Sequence, residues 1–257
     1  MKMVQFVTAL AVMASAGMLA SKAEAQTAAP VVARNVVLVH GAWADGSSWA
    51  EVIPYLQAAG LKVTAVQNPL TSLEDSVAAT RRALALQDGP TVLVAHSWGG
   101  TVISETGTDP KVSALVYVAA RGPDAAEDFV ALSGKFPAGP VRAGIREHDG
   151  FTRLSEDSFL KYFANGVEPK KAEVLYAVQE PTAVSLFAGR TTAAAWRSKP
   201  SWYAVSKQDQ TINPDLERFL AKRMNATTVE LDAGHLSLVS HPKEIADLIL
   251  AAAGHKE

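Results

Sequence analysis

Two rhythms of apolar and polar positions alternate along the chain. Val36-Val37-Leu38-Val39 is an unbroken, mostly β-branched apolar run, the pattern of a strand buried on both faces. Thr91–Ala95 and Val112–Ala119 repeat it, and Lys62–Val66, Trp202–Val205 and Thr227–Leu231 are weaker versions. Between them lie stretches of helical spacing: Ser48–Ala59 ended by Gly60, Ser72 to about Gln87, Gly99–Thr108, Asn213–Met224 and Pro242–Ala252. Ser72 suits an N-cap, Glu74 and Asp75 favour the helix dipole in the first turn, and Pro214 fits the start of its helix. Strand and helix in alternation predict an α/β fold: a mostly parallel sheet of about six strands flanked by crossover helices. The alternation breaks over 121–198. Helical patterns there at Glu127–Leu132, Ser155–Phe163 and Pro169–Gln179 predict a helical lid inserted after the fourth strand, with core segments at 35–120 and 199–257.

The start of the chain follows neither rhythm. Lys2 precedes an apolar stretch from Val4 to about Ala20, and Ala23-x-Ala25 fits the small-residue rule for signal-peptide cleavage. The apolar run is at the short end for spanning a bilayer, and no second span follows. The expectation is a signal peptide over 1–25, a linker over 26–34, and a periplasmic or secreted protein without stable membrane insertion.

Composition narrows the chemistry. The 257 residues carry a formal charge of −2 with no run of Lys and Arg, which argues against a nucleic-acid partner. Cysteine is absent, so disulfides, thiol nucleophiles and Cys-based zinc sites are excluded. No metal or organic cofactor is implied.

Three short segments carry a mechanism. Ala95-His96-Ser97-Trp98-Gly99-Gly100 follows a buried strand and opens a helix, the context of a serine nucleophile held on a sharp turn. The turn demands small residues two before and two after the serine; Gly99 fits, and the methyl group of Ala95 is tolerable. Val39-His40-Gly41-Ala42-Trp43 follows the first strand, where a loop can supply a second oxyanion donor beside the N–H of Trp98. Ala42 is the candidate for that donor; His40 reads as a loop support. Ala233-Gly234-His235 follows the last strand and offers a general base, for which an imidazole is suited by its ordinary pKa of about 6.5. His96 should point away from the serine. Asp209, in the turn after Trp202–Val205, is the candidate acid that orients His235; Asp232 is its main rival, and Asp215 belongs to a helix first turn. Trp98, Phe129, Phe163, Phe187, Trp196 and Leu236 are candidates to line an apolar substrate pocket.

These residues resemble the α/β-hydrolase superfamily over about 35–253. More narrowly, His40–Trp49, the elbow His96–Gly100 and Gly234-His235-Leu236 are similar to the branch of plant methylesterases, hydroxynitrile lyases and their bacterial relatives. The resemblance implies a serine hydrolase acting on small, largely apolar carboxylic esters through an acyl-enzyme. The lyases of that branch have threonine in place of Gly41 and lysine in place of Leu236, and the lysine stabilises the leaving cyanide; its absence favours ester hydrolysis. Two alternatives stand beside this: cofactor-free lyase or perhydrolase chemistry with the same residues, and a binding protein of the same fold. The partner expected is a small-molecule ester, and a homodimer is compatible with this reading.

Overall fold

The computed structural model describes residues 32–255. The export segment expected over 1–25, and most of the linker after it, lie outside the described residues. Six parallel strands form the main sheet: β1 (Asn35–Val39), β2 (Lys62–Val66), β3 (Thr91–His96), β4 (Val112–Val118), β8 (Ser201–Ser206) and β9 (Thr227–Leu231). Their order is β2-β1-β3-β4-β8-β9. The central strands β1 and β3 are buried at every residue, which is why their sequences run apolar without alternation.

The helices are α1 (Ile53–Ala58), α2 (Leu73–Ala85), α3 (Gly99–Thr106), α4 (Phe129–Ser133), α5 (Glu156–Ser158), α6 (Pro169–Ala177), α7 (Pro214–Arg223), α8 (Ser237–Ser240) and α9 (Pro242–Ala252). Short helix α8, directly after His235, is not legible in the apolar pattern. The expected helix from Ser48 is divided into a 3-10 turn, Gly46–Trp49, and α1. Helix α2 starts at its expected cap: Ser72 Oγ accepts from the Asp75 N–H at 3.0 Å. Helix α1 packs with α9 and α2 with α3, and the strands between them supply most of the core.

The segment between β4 and β8 corrects the expectation of a purely helical insert. It holds a three-stranded antiparallel sheet, β5 (Ile145–His148), β6 (Phe151–Leu154) and β7 (Thr182–Ala183), beside α4, α5, α6 and a π turn at Phe159–Phe163. Strands β5 and β6 join through Asp149-Gly150, whose φ angles of 49° and 78° make a tight two-residue turn. That dipeptide is the mark of a hairpin. The polar residues Arg146, Glu147 and Arg153, on exposed positions of so short a ribbon, hide the alternation. Among the described residues, no helix is long and apolar enough to cross a membrane.

Candidate active site

Strand β3 ends at His96, and the chain turns at once into α3. Ser97 sits on that turn with φ of 55°, a left-handed conformation that non-glycine residues adopt at a cost of about 1–3 kcal/mol. The Ser97 N–H donates to Val118 O at 3.2 Å, and Ser97 O accepts from the Arg121 N–H at 2.9 Å, so β4 braces the bend. No room is left beside it. A Cβ on Gly41 would lie 2.6 Å from Ser97 Cβ.

The other candidate residues converge on this hydroxyl. His235 Nε2 lies 2.9 Å from Ser97 Oγ, and His235 Nδ1 lies 2.5 Å from Asp209 Oδ2. The second oxygen of Asp209 accepts from the backbone N–H groups of Thr211 at 2.6 Å and Ile212 at 2.9 Å, which lock the carboxylate in place. Its rival Asp232 is exposed and paired with Lys207 at 2.8 Å, and Asp215 pairs with Arg218. The backbone N–H groups of Ala42 and Trp98 make no hydrogen bond among the described residues, and both residues line the same cavity as Ser97. Trp98 stands at the N-terminal end of α3, where free amides and the helix dipole favour negative charge.

Two further buried titratable groups flank His235 and Asp209. His96 packs against the catalytic candidate His235: its Nε2 donates to His235 O at 3.0 Å, and the two rings lie 4.6 Å apart. Desolvation, then the neighbouring His235, hold His96 far below the usual imidazole range, so it is a neutral prop. Glu217, on α7, is fully buried and accepts from the Ser206 N–H at 3.0 Å. Burial first, then the charge of Asp209, push its pKa well above the carboxylate range, so Glu217 keeps its proton. Sequence alone gives no signal for Glu217, because one glutamate in an amphipathic helix reads as surface. His40 is also a support, as expected: its Nε2 accepts from the Asn68 N–H at 2.8 Å and its Nδ1 donates to Gly41 O at 2.9 Å.

Glu217 makes a prediction for stability. The folded state holds a proton that the unfolded chain releases above its ordinary pKa of 4.5. Stability present below that value is therefore lost as pH rises toward the folded pKa, by on the order of 1 kcal/mol per pH unit. Glu217→Gln can still accept from Ser206 and cannot ionise. Its melting temperature should exceed that of the wild type at about pH 7–8 and match it near pH 4. The sign is opposite for His40 and His96, both lowered by burial: their contribution fades as pH falls below 6.5, in both proteins alike. Parallel melting curves across the whole range would refute the protonated state of Glu217.

The cavity over Ser97 measures about 280 Å³. Trp98, Phe129 and Phe187 line it as expected, but three other candidates do not. Phe163 and Leu236 lie behind the Trp43 side chain; the Phe163 ring packs at a tilt against the His235 ring, their centres 5.1 Å apart. Trp196 is buried elsewhere, its indole N–H donating to Pro123 O at 2.8 Å with the guanidinium groups of Arg197 and Arg223 over its ring. Arg121, absent from the sequence reading because it belongs to no motif, does enter the cavity. Trp43 closes one wall from a left-handed conformation, φ 56°. Its N–H donates to Thr182 Oγ1 at 3.0 Å and its indole N–H to Thr152 Oγ1 at 3.1 Å. Among the described residues, no group of three or more His, Asp or Glu side chains is placed to hold a metal ion.

Comparison with known proteins agrees with this architecture. The chain is 25% identical over 254 residues to Methylesterase 2 of Arabidopsis thaliana, covering 86% of this chain and 96% of that protein. The crystal structure of polyneuridine aldehyde esterase, an enzyme known from Rauvolfia serpentina, superposes with a TM-score of 0.72 at 21% identity, over 85% of this chain and 98% of that one. A pyrethroid hydrolase from Sphingobium faniae JZ-2 superposes with a TM-score of 0.71 at 20% identity, over 86% and 98%. The model of the alpha/beta hydrolase family matches residues 36–248, and the chain belongs to that family.

Proposed function

We propose that this protein is a serine carboxylic ester hydrolase that acts through an acyl-enzyme. The observation that carries this is the unbroken line from Asp209 through His235 to Ser97 at 2.5 and 2.9 Å, ending in a mostly apolar cavity. His235 takes the Ser97 proton as the oxygen attacks the ester carbonyl. Asp209 holds the tautomer that leaves Nε2 free to accept it. The N–H groups of Ala42 and Trp98 stabilise the oxyanion, each contributing about 10²–10³ in rate. His235 then protonates the departing alcohol and activates water for deacylation. The relatives named as esterases and methylesterases support this reading. Leu236, apolar and buried behind Trp43, supplies no cation to a leaving cyanide, which favours hydrolysis over the lyase alternative. The Ala23-x-Ala25 pattern supports a site of action in the periplasm or outside the cell.

A fluorophosphonate probe tests the chemistry directly. Wild-type protein should be labelled stoichiometrically at Ser97, and Ser97→Ala should not react while keeping its circular dichroism spectrum. Labelling that persists in Ser97→Ala, or wild-type protein inert to the probe, would overturn the assignment.

A further inference from the structure

Arg121 stands apart from the other arginines of the described chain. Only two of these are withdrawn from the surface, Arg223 and Arg121. Arg223 has Glu127, at 2.7 Å. Among the described residues Arg121 has no carboxylate within ion-pair distance, and its side chain makes one hydrogen bond, from Nη1 to Phe187 O at 3.3 Å. Its guanidinium carbon lies 5.0 Å from the Phe129 ring centre and 5.2 Å from that of Phe187. Desolvation, then the nearby charge of Arg142, bring its pKa down to about 10, so it remains a cation at neutral pH. Arg142 lines the same cavity, and no aspartate or glutamate does. Among the described residues the cavity over Ser97 therefore holds two positive charges and no negative one, in a chain whose formal charge is −2.

An uncompensated cation in an apolar site is expensive, and such groups persist where a partner completes them. The aromatic rings meet the guanidinium by cation–π contact, which uses its faces and not its in-plane N–H groups. Those in-plane groups match a planar, two-oxygen acceptor. The backbone N–H of Arg121 donates to Ser97 O at 2.9 Å, and both residues line the same cavity.

We propose that the natural substrate is an ester that also bears a carboxylate, and that Arg121 binds this carboxylate in plane while Ser97 attacks the ester carbonyl. Attack by Ser97 on the ester rests on the esterase reading; binding of the carboxylate by Arg121 stands without it. Arg142, an exposed residue that lines the same cavity, draws the anion in. The class comprises half-esters of dicarboxylic acids and their analogues, in place of the wholly uncharged esters that the aromatic residues alone suggest.

The test compares p-nitrophenyl hemiglutarate with p-nitrophenyl pentanoate, near-isosteres that differ by the carboxylate. Wild-type kcat/KM should favour the half-ester. In Arg121→Met the ratio of the two values should fall by about 10- to 100-fold, the worth of a hydrogen bond to a charged group, and Arg121→Lys should restore part of it. A wild-type enzyme that cleaves pentanoate as well as the half-ester overturns the proposal, whether or not Arg121→Met folds. Calorimetry with the inert Ser97→Ala protein separates binding from chemistry: monomethyl glutarate should bind, and the added Arg121→Met change should abolish this. Binding through Arg121 without turnover of either ester would sink the esterase reading and leave the carboxylate site standing. Binding indifferent to residue 121 would sink the site.

Discussion

Ser97→Ala and His235→Ala are each expected to lower ester turnover by about 10⁴- to 10⁶-fold, and the double variant scarcely further. The reason is geometric. His235 Nε2 is 2.9 Å from Ser97 Oγ, so the hydroxyl has one base within reach, and each partner is inert without the other. No second base can step in: His96 is buried with its Nε2 committed to the His235 carbonyl, and both ring nitrogens of His40 are engaged in its own loop. What remains in the variants is binding and the two oxyanion amides. Asp209→Asn should retain the fold, because the Thr211 and Ile212 amides can still be accepted, yet lose about 10⁴ in kcat through the wrong imidazole tautomer. Steady-state kinetics with a p-nitrophenyl ester measures all four. Additive losses in the double variant, or more than a tenth of wild-type rate in His235→Ala, would break the assignment of His235 as base.

Gly99→Ala is expected to damage both stability and rate. A Cβ at this position would lie 2.7 Å from His40 O and 2.9 Å from Val39 O. Both are backbone atoms at the end of a strand buried on both faces, and neither can yield as a flexible side chain would. Relief requires the first turn of α3 to lift away from β1, at a cost of about 3 kcal/mol. For a chain of this size that lowers the melting temperature by about 6–12 °C. The lift also separates the Trp98 amide from Ala42, so kcat should drop by about 10²-fold in the protein that remains folded. Calorimetry and kinetics on the same preparation check the pair; an unchanged melting temperature would show that the elbow has slack which the packing denies.

The core, and the convergence of Ser97, Asp209 and His235, were legible because each had a local cause. A buried parallel strand must be apolar at every residue, and β1 and β3 are. The elbow must combine a strand, a serine and a small residue two places on, and Ser97 with Gly99 meets that. Asp209 could be ranked above Asp232 because its turn gives it freedom to reach the ring. What escaped notice has no local cause. Arg121 matters because of what is missing around it in space, and Glu217 because α7 presses it against Asp209. The hairpin β5–β6 offered Asp149-Gly150, but so short and exposed a ribbon shows no apolar period. Phe163, Leu236 and Trp196 were apolar for the usual reason, core packing, and only the path of the insert distinguishes them from Phe129 and Phe187.

The two threonines that hold Trp43 bear on how such an enzyme can diversify. Thr152 and Thr182 belong to the small antiparallel sheet, and the residue they fasten follows Ala42 directly. The accessory segment thus carries part of the catalytic scaffold as well as part of the cavity wall. It is not an exchangeable module. Grafting the corresponding segment from another hydrolase would alter selectivity and catalytic power together, unless both threonine hydroxyls came with it.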